Sequence, residues 1–177
     1  DDRGFFARMW DKDVFTELNL DSDIIQGNIS YNKKKGTVRG FHFQHEPYQE
    51  GKIVRCTKGK VYEVILDIRK ESETYLEWES IELDQENHRS LFVPKGFALG
   101  FQTLEDDTEI NYLMTEKYEP EYSDGIRWND PKLNITWPIR PTNISEKDGW
   151  DIEKVNLRQE EIKKVSNVYG FKSVHKL

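Results

Sequence analysis

From residue 52 to residue 118 the chain is cut into short β-prone runs, separated by glycine, proline or strongly polar turns at roughly ten-residue intervals. That rhythm points to a sandwich or a barrel. Residues 52–69 (KIVRCTKGKVYEVILDIR) read as two β-rich runs around Thr57-Lys58-Gly59-Lys60, where Gly59 can supply the positive φ of a hairpin turn. Residues 75–83 set Leu76, Trp78 and Ser80 against Tyr75, Glu77, Glu79 and Ile81, the period of a half-exposed strand. After the polar stretch 84–88, residues 90–93 run up to Pro94-Lys95-Gly96. Residues 97–104 and 108–118 then form a further pair around Glu105-Asp106-Asp107.

Composition agrees with an all-β reading. Only 36% of residues are hydrophobic but 12% are aromatic, so few, bulky side chains must build the core, and such residues suit pleated sheets. The ends differ from the middle. Val14, Phe15 and Leu18 fall at helical spacing within residues 11–20, with Asp11 or Asp13 as the cap, and residues 147–177 carry Ile152, Val155, Ile162 and Val165 among many charges, as one or two amphipathic helices would. At 177 residues the chain is expected to form one domain, its core over residues 1–148 and a partly helical extension over 149–177. Lys33-Lys34-Lys35-Gly36 reads as a solvated hairpin tip.

A net charge of −7 argues against a nucleic-acid binder, which needs a basic stripe. No apolar run approaches the ~18 residues of a membrane span, and no signal peptide is seen in a chain that begins at Asp1. The single cysteine, Cys56, cannot form an intramolecular disulfide, so a reducing compartment, the cytoplasm, is expected.

The densest chemistry lies in Arg39-Gly40-Phe41-His42-Phe43-Gln44-His45. On a regular strand Arg39, Phe41, Phe43 and His45 face one side and Gly40, His42 and Gln44 the other, so an inward second face sends a histidine and an amide into the interior. Arg39 and Lys52 supply fixed positive charge for an acidic small molecule. A small β-barrel with histidine in its strands raises the metal-binding cupin pattern. Here Gly36, His42 and, at a loose spacing, Glu50 match its first motif, but Gln44 replaces the second histidine, and Leu99 replaces the histidine that should follow Pro94-Lys95-Gly96. Two of four ligands are missing, and no metal is expected.

The ordered strings Gln26-x-Asn28, residues 39–44 (RGFHFQ), residues 51–55 (GKIVR), Asp67-Ile68-Arg69, residues 92–98 (FVPKGFA), Tyr112, Tyr118-x-Pro120, residues 125–131 (GIRWNDP) and Ile135-x-Trp137-Pro138 resemble the dTDP-4-dehydrorhamnose 3,5-epimerases. The resemblance runs from Asp2-Arg3-Gly4-Phe5-Phe6 to Lys147-Asp148. It implies a metal-free cupin jelly roll with short N- and C-terminal helices, no cofactor, and a nucleotide-linked 4-keto sugar as substrate. It also implies a homodimer with exchanged N-terminal strands. By position it makes His42 and Asp148 the base pair, Tyr112 the opposing acid and Lys52 the partner of the C4 oxygen. Arg3, Gln26, Asn28, Arg39 and Tyr118 fall at substrate-binding positions. The chemistry is coherent, because a ketone at C4 acidifies the hydrogens at C3 and C5, and inversion needs a base on one face and an acid on the other.

Three positions depart from the family pattern. Leu99 and Ile29 stand where histidines are usual, and Arg8 where a glutamate is common. The proton-transfer residues are kept while substrate contacts change, so the expectation is an epimerase for a variant nucleotide 4-keto sugar, acting at C3, C5 or both. A cupin 3,4-ketoisomerase and a sugar-nucleotide binding protein that has lost catalysis remain alternatives on sequence alone.

Overall fold

The strands that follow one another in the chain mostly do not pair with one another. In the computed structural model, which describes residues 1–145 together with Arg158, Glu160 and Glu161, β1 (Gln26–Asn32), β3 (Lys52–Lys58), β6 (Leu91–Val93) and β8 (Thr108–Met114) form one sheet in the order β1-β8-β3-β6. The second sheet runs β10-β2-β7-β4-β5, built from β2 (Thr37–Gln44), β4 (Lys60–Asp67), β5 (Trp78–Asp84), β7 (Phe97–Thr103) and β10 (Asn143–Ile144), with β9 (Ser123–Gly125) also against β2. The two sheets form a cupin-type jelly roll. The turns at 33–36, 57–60 and 105–107 therefore carry the chain from one sheet to the other, and the hairpins expected there do not form. Each sheet has an apolar face to cover, and crossing at the turn lays successive strands face to face across the core. Gly59 makes one crossing at φ +73°, where a Cβ would lie 2.7 Å from Thr108 Oγ1.

Two cores result. Between the sheets, Val54, Cys56, Val93 and Ile110 of the first meet Val61, Leu83, Leu99 and Phe101 of the second. On the outer face of the second sheet, Phe41, Phe43, Val64, Leu66 and Ala98 are covered by Ile126 and Leu133, with Trp137 packed against them. The Trp78 indole donates to the Leu133 carbonyl at 3.0 Å and the Trp137 indole to the Trp128 carbonyl at 3.0 Å, so the segment after β9 is a fixed cover. Burial on both faces accounts for the unbroken apolar run Val64-Ile65-Leu66 in β4.

The strand expected from residue 75 starts at Trp78. Residues 72–77 form turns, with Leu76 at φ 67°, around the buried Asp67. Asp67 accepts two bonds from the Arg69 guanidinium, at 2.9 and 2.7 Å, and one each from the Ser72 and Thr74 hydroxyls at 2.6 and 2.7 Å. Burial pulls its pKa upward, but these bonds outweigh it and hold the carboxyl well below its usual range.

Helix α1 (Lys12–Glu17) is capped by Asp11, whose Oδ1 accepts from the amides of Asp13 and Val14. It buries no residue, and Val14 and Leu18 stay exposed. No helix of the described residues is long and apolar enough to cross a membrane. The expected C-terminal helices lie almost entirely outside the described residues, as does Asp148.

Candidate active site

The apolar filling between the sheets stops short at one end, leaving a cavity of about 740 Å³, within the range of small-molecule sites. Its two walls come from different sheets. Arg39, His42, Leu99 and Phe101 line it from the second sheet, and Asn28, Lys52, Tyr112 and Met114 from the first.

Arg39 and His42 share this wall because β2 is irregular, which corrects the simple alternation expected from the sequence. Arg39 lies opposite Phe101 and His42 opposite Leu99, so three steps along β2 match two along β7. The extra residue lets both polar side chains face the cavity and leaves Phe41 in the outer core. Gly40 makes this possible. Its φ is +110°, and a Cβ there would lie 2.5 Å from the Gly100 Cα.

Lys52 is buried. Its Nζ donates to the His42 carbonyl at 3.0 Å and pairs with Glu50 Oε1 at 2.9 Å, partners that a buried ammonium requires. Tyr112 lies opposite Asn28 of β1 and Val54 of β3. Burial, and secondarily the Glu63 carboxyl, push its phenol well above the ordinary value, so it is protonated at neutral pH. Arg39 Nε donates to Asn32 Oδ1 at 2.8 Å, which fixes the guanidinium at the rim. Tyr118 also lines the rim.

Two further residues singled out from sequence do not line the cavity. The Gln26 side-chain carbonyl accepts from the Tyr118 backbone at 2.6 Å and so positions the loop that carries Tyr118. Arg3 is exposed and pairs with Asp1 at 2.5 Å. Of the departures, Leu99 and Ile29 are cavity residues, while Arg8 pairs with Asp11 at 2.5 Å on the surface. Among the described residues no group of three or more His, Cys, Asp or Glu side chains is placed to share a metal ion.

The structure also gives places to polar residues outside the predicted site, among them Glu50, the glutamate that matches the metal-binding cupin motif. Glu50 lines the cavity from the segment just before β3, where its Oε1 meets the Lys52 ammonium. Glu63 is fully buried between the sheets beside Phe101, and neither carboxyl oxygen has a hydrogen-bond partner among the described residues. Burial pushes its pKa up to about 8 against an opposing pull from Lys52, so it holds a proton at neutral pH. His45 Nε2 and Asp124 Oδ2 meet at 2.8 Å in the interior, pinning β9 to β2 where Gly125 faces His42. Arg158 donates to the Glu121 carbonyl at 2.8 Å and lines the cavity, so positive charge at the site comes from Arg39, Lys52 and Arg158.

The sequence model for dTDP-4-dehydrorhamnose 3,5-epimerase matches residues 1–153. A dTDP-4-dehydrorhamnose 3,5-epimerase of Sinorhizobium fredii is 46% identical over 149 residues, covering 84% of this chain and 76% of that protein. The crystal structure of the Bacillus anthracis dTDP-4-dehydrorhamnose 3,5-epimerase with TDP and PPi bound superposes with a TM-score of 0.81 at 42% identity, covering 84% of this chain and 85% of the other. The Legionella pneumophila dTDP-6-deoxy-D-glucose-3,5-epimerase in complex with dTDP-4-keto-L-rhamnose gives 0.78 at 37% identity, covering 84% and 79%.

Proposed function

The chain belongs to the dTDP-4-dehydrorhamnose 3,5-epimerase family, and from that premise we propose how its cavity inverts a dTDP-linked 4-keto-6-deoxy sugar at C3, C5 or both. The observation that carries the reading is the placement of His42 on one wall and Lys52 and Tyr112 on the facing wall of one cavity. A sugar held between the walls offers one face to an imidazole and the other to a phenol.

His42 removes the hydrogen next to the ketone, and the electron pair moves onto the C4 oxygen as an enolate. Lys52 donates to that oxygen as charge develops, from an ammonium already fixed by Glu50 and the His42 carbonyl. Tyr112, protonated at working pH, returns a proton to the opposite face and inverts the carbon. Asp148 orients the His42 imidazole and stabilises its cationic form. Arg39, Asn28 and Tyr118 hold the nucleotide diphosphate and sugar at the rim, guanidinium being suited to phosphate by its paired donors.

Arg3 enters the site only across a homodimer. Phe5 and Phe6 are 67% and 98% exposed, and an arm of this kind finds burial by exchange with a second copy, bringing Arg3 to the partner's cavity. Gln26 acts through the Tyr118 loop. The buried, unreactive thiol of Cys56, its pKa raised by burial to about 11, accords with a cytoplasmic enzyme. Residues 1–177 serve as one epimerase domain with its core over 1–148, and Arg158 of the extension lines the cavity. Leu99 and Ile29 replace hydrogen-bond donors of the cavity by apolar groups and favour a variant 4-keto sugar.

Proton NMR of dTDP-4-keto-6-deoxyglucose with the protein in D2O, following the C3 and C5 hydrogens separately, tests the reading. Solvent exchange with inversion at one or both carbons is expected. No exchange with this or any other nucleotide-linked 4-keto sugar would overturn it, and full-rate inversion at both carbons would remove the case for a variant substrate.

A further inference from the structure

The epimerase reading leaves one polar atom of the cavity without an assignment. Glu50 is only 7% exposed and lines the cavity. Its Oε1 pairs with the Lys52 ammonium at 2.9 Å, whereas its buried Oε2 has no hydrogen-bond partner among the described residues. The neighbouring amide of Gly51 is already spent on the Thr115 hydroxyl at 2.7 Å. A carboxylate oxygen buried without a donor is costly, and a donor supplied by a ligand removes that cost.

We propose that Glu50 reads the hydroxyl beside the reacting ketone: Oε1 holds Lys52 against the C4 oxygen, and Oε2 accepts a hydrogen bond from the sugar's 3-hydroxyl. The assignment rests on the epimerase reading and deepens it. Lys52 and Glu50 form a bonded pair of one donor and one acceptor, and the C4 ketone and C3 hydroxyl form a neighbouring pair of one acceptor and one donor. The two pairs are complementary when set side by side. In a 6-deoxy sugar C5 bears a methyl group and no hydroxyl, so the contact exists on one side of the ketone only. Glu50 is thus a positioning residue for Lys52 and a specificity residue for C3. No bond is made or broken at Glu50.

The asymmetry gives a readout that a merely structural role would not move. Both exchange reactions share the C4 oxygen and therefore Lys52, so damage transmitted through Lys52 slows C3 and C5 alike. Loss of the hydroxyl contact slows C3 selectively. In Glu50→Gln, the ratio of C3 to C5 exchange rates in D2O is expected to fall at least about tenfold, the scale of a hydrogen bond to a charged group, with dTDP affinity unchanged. A second arm uses the wild-type protein and a dTDP-4-keto-3,6-dideoxy sugar, which lacks the 3-hydroxyl. Its KM is expected to rise at least about tenfold over the parent sugar, and the penalty to vanish in Glu50→Gln. This arm decides the matter when the wild type exchanges only one carbon, or when the variant does not fold. Equal slowing at both carbons, or an unpenalised dideoxy sugar, would overturn the hydroxyl contact; a variant with wild-type rates would overturn the Lys52 contact too. A wild-type protein without exchange on any 4-keto sugar would instead overturn the epimerase reading, and the assignment with it.

Discussion

Glu63 is the residue whose chemistry is least expected from its place in the chain. It occupies the inward position between Val61 and Ile65 on a strand buried on both sides, and burial raises its pKa from 4.5 to about 8. The sign for stability follows directly. Between those values the unfolded chain has released its proton and the folded chain still binds one, so folding loses stability as pH rises from about 4.5 towards 8. Glu63→Gln, which cannot ionise, is expected to match the wild type near pH 5 and to melt at least about 3 °C higher at pH 8, in thermal scans across that range. A pH-independent difference would mean that Glu63 does not titrate there. At this scale the sequence was legible where residues sit in distinctive strings: His42, Lys52, Tyr112, Arg39, Asn28 and Tyr118 all line the cavity. Glu50 was legible as the cupin-motif glutamate but not as the partner of Lys52, and Glu63 and the His45–Asp124 pair escaped because a polar residue in a β-rich run does not announce what it meets in the fold.

Element by element, strand positions were readable and strand pairing was not. The turn at 57–60 has the glycine and polar residues of a reversal, and it does reverse the chain, but turn chemistry does not say which sheet the next strand joins. That choice is made by the need to cover apolar faces, a property of all the strands together. The irregularity in β2 was hidden for a similar reason. Gly40 looked like an ordinary member of an alternating run, yet it is the residue that brings Arg39 and His42 to one wall. Gly40→Ala places a Cβ at 2.5 Å from the Gly100 backbone. The variant is expected to lose roughly 2 kcal/mol or more of stability in urea titrations, and its folded fraction to lose turnover as His42 leaves its wall. Full activity in a stable Gly40→Ala protein would contradict this view of β2.

Across the whole molecule the clearest division is between the apolar surface that the chain covers itself and the apolar surface that it leaves exposed. Both cores are closed by the chain itself, the outer one by the cover carrying Ile126, Leu133 and Trp137, so the strings around residues 125–138 act in architecture. The N-terminal arm is not closed: Phe5, Phe6, Val14 and Leu18 remain exposed, and α1 buries nothing. Sedimentation of the intact protein is expected to give a species of twice the 21.0 kDa chain mass. Phe5→Asp combined with Phe6→Asp should shift it towards monomer and, if Arg3 completes the partner's site, weaken dTDP binding as well. A monomeric wild type would remove the exchanged arm from the account.

In the proposed mechanism protons leave one face of the sugar at His42 and return to the other at Tyr112. Its most direct test is proton NMR in D2O of the accepted 4-keto sugar nucleotide with the wild type, His42→Asn and Tyr112→Phe, recording exchange and inversion separately at each carbon. Exchange with inversion is expected for the wild type and no exchange for His42→Asn. For Tyr112→Phe exchange with retention is expected, because His42 can return a solvent deuteron only to the face it deprotonated. Wild-type exchange in His42→Asn, or undiminished inversion in Tyr112→Phe, would contradict it.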